Sequence, residues 1–331
     1  MKQKAIWITW ERQRRSIELA KAFGAKYFEL LKASDDIPSV PIRYLLLSVK
    51  TILIVVRERP RIIFAQNPSI VLASVLCAFK KIGKYKLVVD RHSNFKLESI
   101  SDRNIKWRIF HCLSKYSVRI ADLTIVTNEF LCRLVNLWSG NGYILQDRLP
   151  ELRNEETTKL IGEKNIVFIS TFSPDEPIDE VIAAARRLNN KWVIYITGNY
   201  KKYRKYGIAD NVPENVVLTG YLPEKEYQKL LLSADLVAVL TMQEHTLNCG
   251  AYEGIAIGKP LVLSDTQAIR DYFRKGVVYS SPFAESIEKA IRKGIEDKKL
   301  LTDEIDILKE ELTVCWHQKF QKLNEVINHL Q

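Results

Sequence analysis

The feature that most constrains this 331-residue chain is an alternation of short β-prone apolar runs with helix-length stretches, broken only once. Strand signals are expected at residues 5–9 (AIWIT), 26–30, 61–65, 87–90, 123–127 and 143–145. Helices are expected between them, at 14–23, 42–57, 69–79, 105–120 and 129–138. The alternation restarts with strands at 166–170, 192–197, 216–219, 236–240 and 260–264, and helices at 178–188, 224–234, 250–257, 284–297 and 303–330. Repeated strand–helix–strand units predict parallel sheets with right-handed crossovers. Two such blocks predict two doubly wound α/β domains facing one another.

Residues 147–164 hold Pro150 and a polar run, and are expected to link the two blocks. The predicted organisation is a first domain over 1–150, a second over 151–312, and a terminal segment, 313–331. Trp316 and Phe320 on that last helix fit a docking role.

Charge separates the halves. Residues 1–150 carry 26 Lys and Arg against 12 Asp and Glu, a net +14, while residues 151–331 carry 24 against 27, a net −3. All of the chain's +11 therefore sits in the first half, which calls for an anionic partner. Nucleic acid is disfavoured, since no nucleic-acid motif accompanies the charge. The five cysteines, Cys77, Cys112, Cys132, Cys249 and Cys315, are odd in number and lack metal-ligand spacing. Free thiols in a reducing, cytoplasmic compartment are the simplest expectation. The longest apolar run, residues 44–56, contains Lys50 and is too short to span a bilayer. Flanked by Arg43, Arg57, Arg59 and Arg61, it suits a helix lying in a membrane surface, or equally a buried helix.

Ligands of open parallel sheets bind beyond the carboxyl ends of the strands. In the second block those ends lead into 171–177, Gly198-Asn199-Tyr200, Gly220-Tyr221-Leu222-Pro223 and 241–248. Thr246, Asn248, Cys249, Gly250 and Ala251 are expected at a helix start, where free N–H groups suit a diphosphate. Glu253 is expected within the first turn. By residue type it is either a partner for a ribose diol or a carboxylate favoured by the helix dipole.

The composite pattern resembles a known family. Glu253-Gly-Ile-Ala-Ile-Gly-Lys-Pro-Leu-Val-Leu-Ser-Asp265 is similar to the signature of glycosyltransferase family 4. Val216-Val-Leu-Thr-Gly-Tyr-Leu-Pro223, Glu226-Tyr227 and Ser233-Ala-Asp-Leu-Val-Ala-Val-Leu-Thr241 extend the resemblance over about residues 160–285. It implies the GT-B fold: two Rossmann-like domains with a cleft between them and a C-terminal helix crossing back to the first. It also implies a nucleotide-sugar donor, no metal and no other cofactor. Carried over, Glu253 would bind the ribose. Thr219, Gly220 and Tyr221 would frame the base. Asn248, Cys249, Gly250 and Ala251, with Thr246, Gly198 and Asn199 beside them, would face the diphosphate and sugar.

The chain departs from that pattern twice. The family's first Glu, eight residues before the ribose Glu, is replaced by His245, with Glu244 one residue away; either would meet the donor sugar. The family's Arg and Lys after the first strand are absent from Ser170-Thr-Phe-Ser-Pro-Asp-Glu-Pro177, so their role is expected to pass to Lys201, Lys202, Arg204 or Lys205, or to the helix end alone.

In the first half, Asp90-Arg91-His92-Ser93 follows a strand. His92 there is a candidate general base oriented by Asp90, or a contact to the donor sugar. Arg12, Arg14 and Arg15 are candidates for a phosphate of a lipid-linked acceptor, or an exposed first helical turn. His111 and His317 fall within helices. The expected function is transfer of a sugar from a nucleotide sugar to a lipid-linked or membrane-associated glycan acceptor in surface polysaccharide synthesis. It would take place at the inner face of the cell membrane. The alternatives are a nucleotide-sugar epimerase or hydrolase of the same fold, and a non-catalytic partner subunit.

Overall fold

The computed structural model describes residues 4–30, 39–67, 69–93, 95–151, 156–201 and 212–330. The chain divides into two compact units. Unit 1 comprises Met1–Arg148 with Trp316–Gln331, and unit 2 comprises Leu149–Cys315.

Unit 1 runs β1 (Ala5–Thr9), α1 (Arg14–Ala22), β2 (Lys26–Glu29), α2 (Val40–Glu58), β3 (Ile62–Asn67) and α3 (Ile70–Gly83). It continues with β4 (Lys86–Arg91), α4 (Ile105–Ile120), β5 (Leu123–Val126), α5 (Glu129–Leu137) and β6 (Gly142–Ile144). The six strands form one parallel sheet in the order β2-β1-β3-β4-β5-β6. Successive side chains of a strand face opposite sides of a sheet. Ile6, Ile8, Ile63 and Val89 therefore pack on one side with Leu47 of α2 and Leu72 and Leu76 of α3. Trp7, Phe64, Val88 and Ile125 pack on the other. Trp7 and Phe64 stack at 5.2 Å between centroids, and each such fully buried side chain contributes about 1.5–3 kcal/mol. Side-chain caps start two of the helices. Asn104 accepts from the Lys106 N–H, and Asn128 from the Leu131 N–H.

Helix α2 is longer than its apolar core of residues 44–56. Pro41 sits in its first turn, and it closes on Arg59 in the left-handed region (φ 43°) just before Pro60. Leu47, Thr51 and Val55 face the sheet, with Thr51 accepting from Trp10 Nε1 at 3.0 Å. Ile42, Leu45, Leu46, Val49, Leu53 and Val56 are exposed. No described helix is long and apolar enough to cross a membrane.

Unit 2 runs β7 (Lys164–Phe168), α6 (Ile178–Arg187), β8 (Trp192–Thr197), β9 (Val216–Gly220), α7 (Glu224–Ser233), β10 (Leu236–Val239) and α8 (Cys249–Ala256). Then come β11 (Leu261–Ser264), α9 (Gln267–Tyr272), β12 (Val277–Ser280), α10 (Ala284–Glu296) and α11 (Lys298–His329). Its sheet is again six-stranded and parallel, in the order β12-β11-β10-β7-β8-β9. The short α9 and the edge strand β12 were not expected from the sequence. β12 is four residues, three half-buried and Ser280 buried, too short a run to register alone.

The polar stretch expected to be a linker is built into unit 2 from Glu156 onward. Glu156 pairs with Lys225 and Lys229, and the Thr158 and Ile161 N–H groups donate to Ser233 Oγ and Tyr195 OH. Helix α11 begins in unit 2, and its last residues belong to unit 1. There Trp316 Nε1 donates to the Gln146 carbonyl at 3.1 Å and Tyr143 OH to the Lys319 carbonyl at 2.7 Å. Phe320 packs against Trp316 and Phe23.

Candidate functional site

In unit 2 the chain builds outward from β7 to β8 and β9, then returns to the other side of β7 for β10, β11 and β12. The strand order reverses between β7 and β10, the place where a doubly wound sheet leaves a crevice for ligand. The loops that follow these two strands are tied together. Thr241 Oγ1 donates to Asp175 Oδ2 at 2.7 Å, and the Met242 N–H to the Asp175 carbonyl at 2.7 Å. Ser264 Oγ bridges the Thr241 N–H and carbonyl from the end of β11.

The amino end of α8 is seated over this point. A Cβ on Gly250 would lie 3.0 Å from Ile169 Cγ2 and 3.1 Å from Val239 Cγ2, beside the ends of β7 and β10. Glycine is what lets the first helical N–H groups come so close to the strand ends. Ala251 is buried, Cys249 exposed and Asn248 half-buried. Asn248 occupies the N-cap in an extended conformation, yet its side chain caps no N–H, and its buried Oδ1 has no hydrogen-bond partner among the described residues. An unsatisfied acceptor beside the amino end of a helix is an arrangement that a hydroxyl-bearing anion completes.

Glu253 corrects one expectation. The helix starts at Cys249, so Glu253 is its fifth residue and no acidic side chain lies in the first turn. The dipole-stabilising role therefore falls away. Glu253 Oε2 instead accepts from Tyr227 OH of α7 at 2.5 Å. Burial, followed by the Glu253 charge, pushes the Tyr227 hydroxyl well above its ordinary pKa, so it stays a donor.

The remaining expected donor residues lie at the ends of β8 and β9. Gly198 (φ 99°) and Gly220 (φ 71°) both occupy the left-handed region. The Gly198 N–H donates to the Gly220 carbonyl at 3.2 Å, which joins the two turns. Thr219 Oγ1 donates to the Gly220 carbonyl, and Asn199 Oδ1 accepts from the Lys201 N–H. Tyr221 is 85% exposed, an aromatic plane free to take a ring. Arg204, Lys202 and Lys205 lie outside the described residues.

Thr246 Oγ1 donates to Gln243 Oε1 at 3.0 Å. Glu244 Oε1 accepts from the Gln267 N–H at 2.7 Å, which caps α9. His245 is half-buried, and burial pushes its pKa below the ordinary value despite Glu244 beside it.

Two features escaped the sequence. Glu176 organises the loop after β7 by accepting from Ser170 Oγ, the Thr171 N–H, Thr171 Oγ1 and the Ser173 N–H. The Ser/Thr-then-Glu spacing of 170–176 was its only signal. Lys259 of the Gly-Lys-Pro segment, in turn, points away from the crevice. Burial, and then the charge of Lys298, lower its pKa, with Asp235 opposing. Asp235 immediately precedes β10 and pairs with Lys298, so this cluster sits at the amino edge of the sheet.

In unit 1, Asp90 is fully buried. Arg15 donates to it through Nε (3.0 Å) and Nη2 (2.9 Å), and also to Asp147 (2.5 Å) and the Leu145 carbonyl (2.8 Å). Arg15 is thus a buried strut. Arg14 pairs with Glu18 one turn on, and Arg12 is exposed. Burial alone would raise the Asp90 pKa, but the Arg15 charge and the His92 ring hold it at about 2. His92 Nδ1 stands 3.4 Å from Asp90 Oδ2, an ion-pair separation rather than a close hydrogen bond. The next side chain, Arg91, is 1% exposed and faces the other side of the sheet. Its guanidinium lies 3.5 Å from the centre of the Phe95 ring. Its Nε and Nη1 have no hydrogen-bond partner among the described residues.

None of the five cysteines is in a disulfide. Among the described residues no group of three or more His, Cys, Asp or Glu side chains is placed to hold a metal.

Residues 152–307 match the family described as glycosyl transferases group 1. No curated protein sequence matches the chain. Among solved structures, sucrose-phosphate synthase from Thermosynechococcus elongatus is similar over 99% of both chains, at 13% identity and a TM-score of 0.77. HepE from Anabaena in complex with UDP-glucose is similar over 98% of this chain and 100% of its own, at 13% identity and a TM-score of 0.70. A glycosyltransferase from Rickettsia africae is similar over 98% of this chain and 89% of its own, at 10% identity and a TM-score of 0.63. At these identities the likeness is one of fold, the two-domain GT-B architecture.

Proposed function

We propose, from the match of residues 152–307 to glycosyl transferases group 1 and from the GT-B fold, that unit 2 binds a nucleotide-diphosphate sugar whose glycosyl group passes to an acceptor held by unit 1. One observation carries the reading: the amino end of α8 sits at the β7/β10 reversal with Asn248 Oδ1 unsatisfied and Glu253 fixed by Tyr227. The amino end of α8 at Cys249 and Gly250 holds the diphosphate, whose charge the helix dipole offsets as it leaves, while the Ala251 N–H is given to the Asn248 carbonyl at 3.1 Å. Glu253 takes the ribose hydroxyls. Tyr221, with the turn at Thr219 and Gly220, receives the base. HepE was solved with UDP-glucose, so a UDP-hexose is the first donor to test.

In the transfer, the bond between the anomeric carbon and the β-phosphate oxygen breaks and one to the acceptor oxygen forms. The acceptor proton goes to His92. Asp90, held ionised by Arg15, favours the His92 tautomer with its proton on Nδ1, which leaves Nε2 as the base. Arg15 acts only through Asp90 in this scheme. Arg12 and Arg14 remain at the surface for an anionic acceptor. The exposed apolar stripe of α2 and the basic first half support an acceptor presented at an anionic membrane.

A thermal-shift panel of UDP-, GDP-, ADP- and CMP-sugars tests the donor site. A rise in Tm with one nucleotide series, absent in Glu253→Ala, is expected. No rise with any series would overturn the reading.

A further inference from the structure

A cavity of about 890 Å³ opens on unit 1 at the amino edge of its sheet, the edge away from Asp90 and His92. It lies where β3 and β4 begin and where α3 and α4 end. Six cations line it: Arg61, Lys80, Lys81, Lys84, Lys86 and Arg119. Asp122 is the only carboxylate among the described lining residues. It is already engaged by Lys80 Nζ at 2.7 Å and Lys86 Nζ at 3.6 Å. Arg61, Lys81 and Lys84 have no ion pair among the described residues.

The carbonyl ends of two helices explain only part of this. Lys80 does donate to the Ile120 carbonyl at 2.8 Å. Each helix end, however, offsets roughly half a charge, and the groove holds six positive charges against one negative. Such an excess suits a multiply anionic surface.

The surroundings are apolar on the same side. Ile82 on α3 is 74% exposed, and Tyr116 and Ile120 on α4 are exposed at the groove itself. Helix α2 leads into the groove through Arg57, Arg59 and Arg61. Its exposed side chains Ile42, Leu45, Leu46, Val49, Leu53 and Val56 follow i, i+3, i+4, i+7, i+11, i+14, one stripe of a helix. Apolar side chains flanked by uncompensated cations match the boundary between acyl chains and phosphate groups.

We infer that this groove seats the phosphate groups of anionic phospholipids while the α2 stripe rests in the acyl boundary. The site is separate from donor and acceptor chemistry. It rests on the membrane-held acceptor of the preceding reading and names the surface that would make the contact.

Vesicle co-sedimentation of the full chain tests it. Vesicles of phosphatidylcholine with one third phosphatidylglycerol are compared with phosphatidylcholine alone, at low and high salt. Binding to the anionic vesicles only, weakened by salt, is expected. Each cation near an anionic surface strengthens binding about five-fold, so Arg61→Gln/Lys81→Gln should weaken it roughly 25-fold. Both side chains are exposed, and an unchanged Tm confirms that the variant folds. Binding equal to the parent chain in the double variant would overturn the groove. Equal binding to neutral vesicles, or displacement by millimolar inorganic phosphate, would overturn the lipid assignment. The Tm rise with nucleotide sugar, measured on the same samples, reports the unit 2 site separately.

Discussion

Tyr227 donates a 2.5 Å hydrogen bond to Glu253 Oε2 and joins α7 to α8. A bond to a carboxylate is worth about 1.5–3 kcal/mol. Tyr227→Phe should lower stability by about that much and change donor affinity only a few-fold, because Glu253 keeps its charge. Glu253→Gln should cost at least about ten-fold in donor KM, as a ribose diol loses its charged acceptor. Titration of both variants with donor, alongside urea unfolding, separates the two effects. Equal losses of affinity would mean that Glu253 is only a packing partner for α7.

Asp90 governs acid stability in unit 1. Its folded pKa of about 2 lies below the ordinary 3.8. Its contribution is therefore complete above pH 3.8 and is lost as pH falls through about 2. Asp90→Asn removes the paired charge while Arg15 stays buried, and should cost about 3–5 kcal/mol at neutral pH. Circular dichroism between pH 5 and 2 should show a shallower acid transition in the variant.

Gly198 is fixed by its backbone. At φ 99°, a Cβ there would stand 2.3 Å from the Ser170 carbonyl oxygen. Gly198→Ala should destabilise by about 1–3 kcal/mol and separate the turn from Gly220. Chemical unfolding measures the first effect. A raised KM for donor, at unchanged protein concentration, registers the second.

Lys259 offers a contrast within the signature segment. It sits with Lys298 and Asp235 at the amino edge of the unit 2 sheet. Lys259→Ala should leave donor affinity within two-fold of the parent chain. A ten-fold loss would place the lysine in the donor site.

Arg91 is buried, stacked on Phe95 and short of hydrogen-bond partners. Burial lowers its pKa to about 9, so it stays charged at neutral pH. Replacing a buried cation that has no ion pair among the described residues with an apolar side chain of similar length relieves desolvation. Arg91→Met should raise stability by about 1–3 kcal/mol. A lowered Tm would show that the Phe95 contact outweighs the burial cost.

Much of this protein was legible without coordinates. Short continuous apolar runs spaced by helix-length segments specified two parallel α/β blocks. Both chain segments fold so, because buried parallel strands must be apolar on both faces. The helix start near Asn248, the turn glycines Gly198 and Gly220, and the tyrosine at 221 were readable from residue type. Edge strand β12 and helix α9 were not, since elements of four and six residues are too short to carry a decisive period.

Tertiary structure alone decided which polar side chains were already spoken for. Arg15, a candidate for an acceptor phosphate, is enclosed by Asp90 and Asp147, partners 75 and 132 residues away in sequence. Glu253 lost its place in the first helical turn and gained Tyr227, 26 residues upstream. Periodicity is a property of neighbours along the chain and survives in the sequence. The pairing of charges is a property of neighbours in space, and folding is what makes them neighbours.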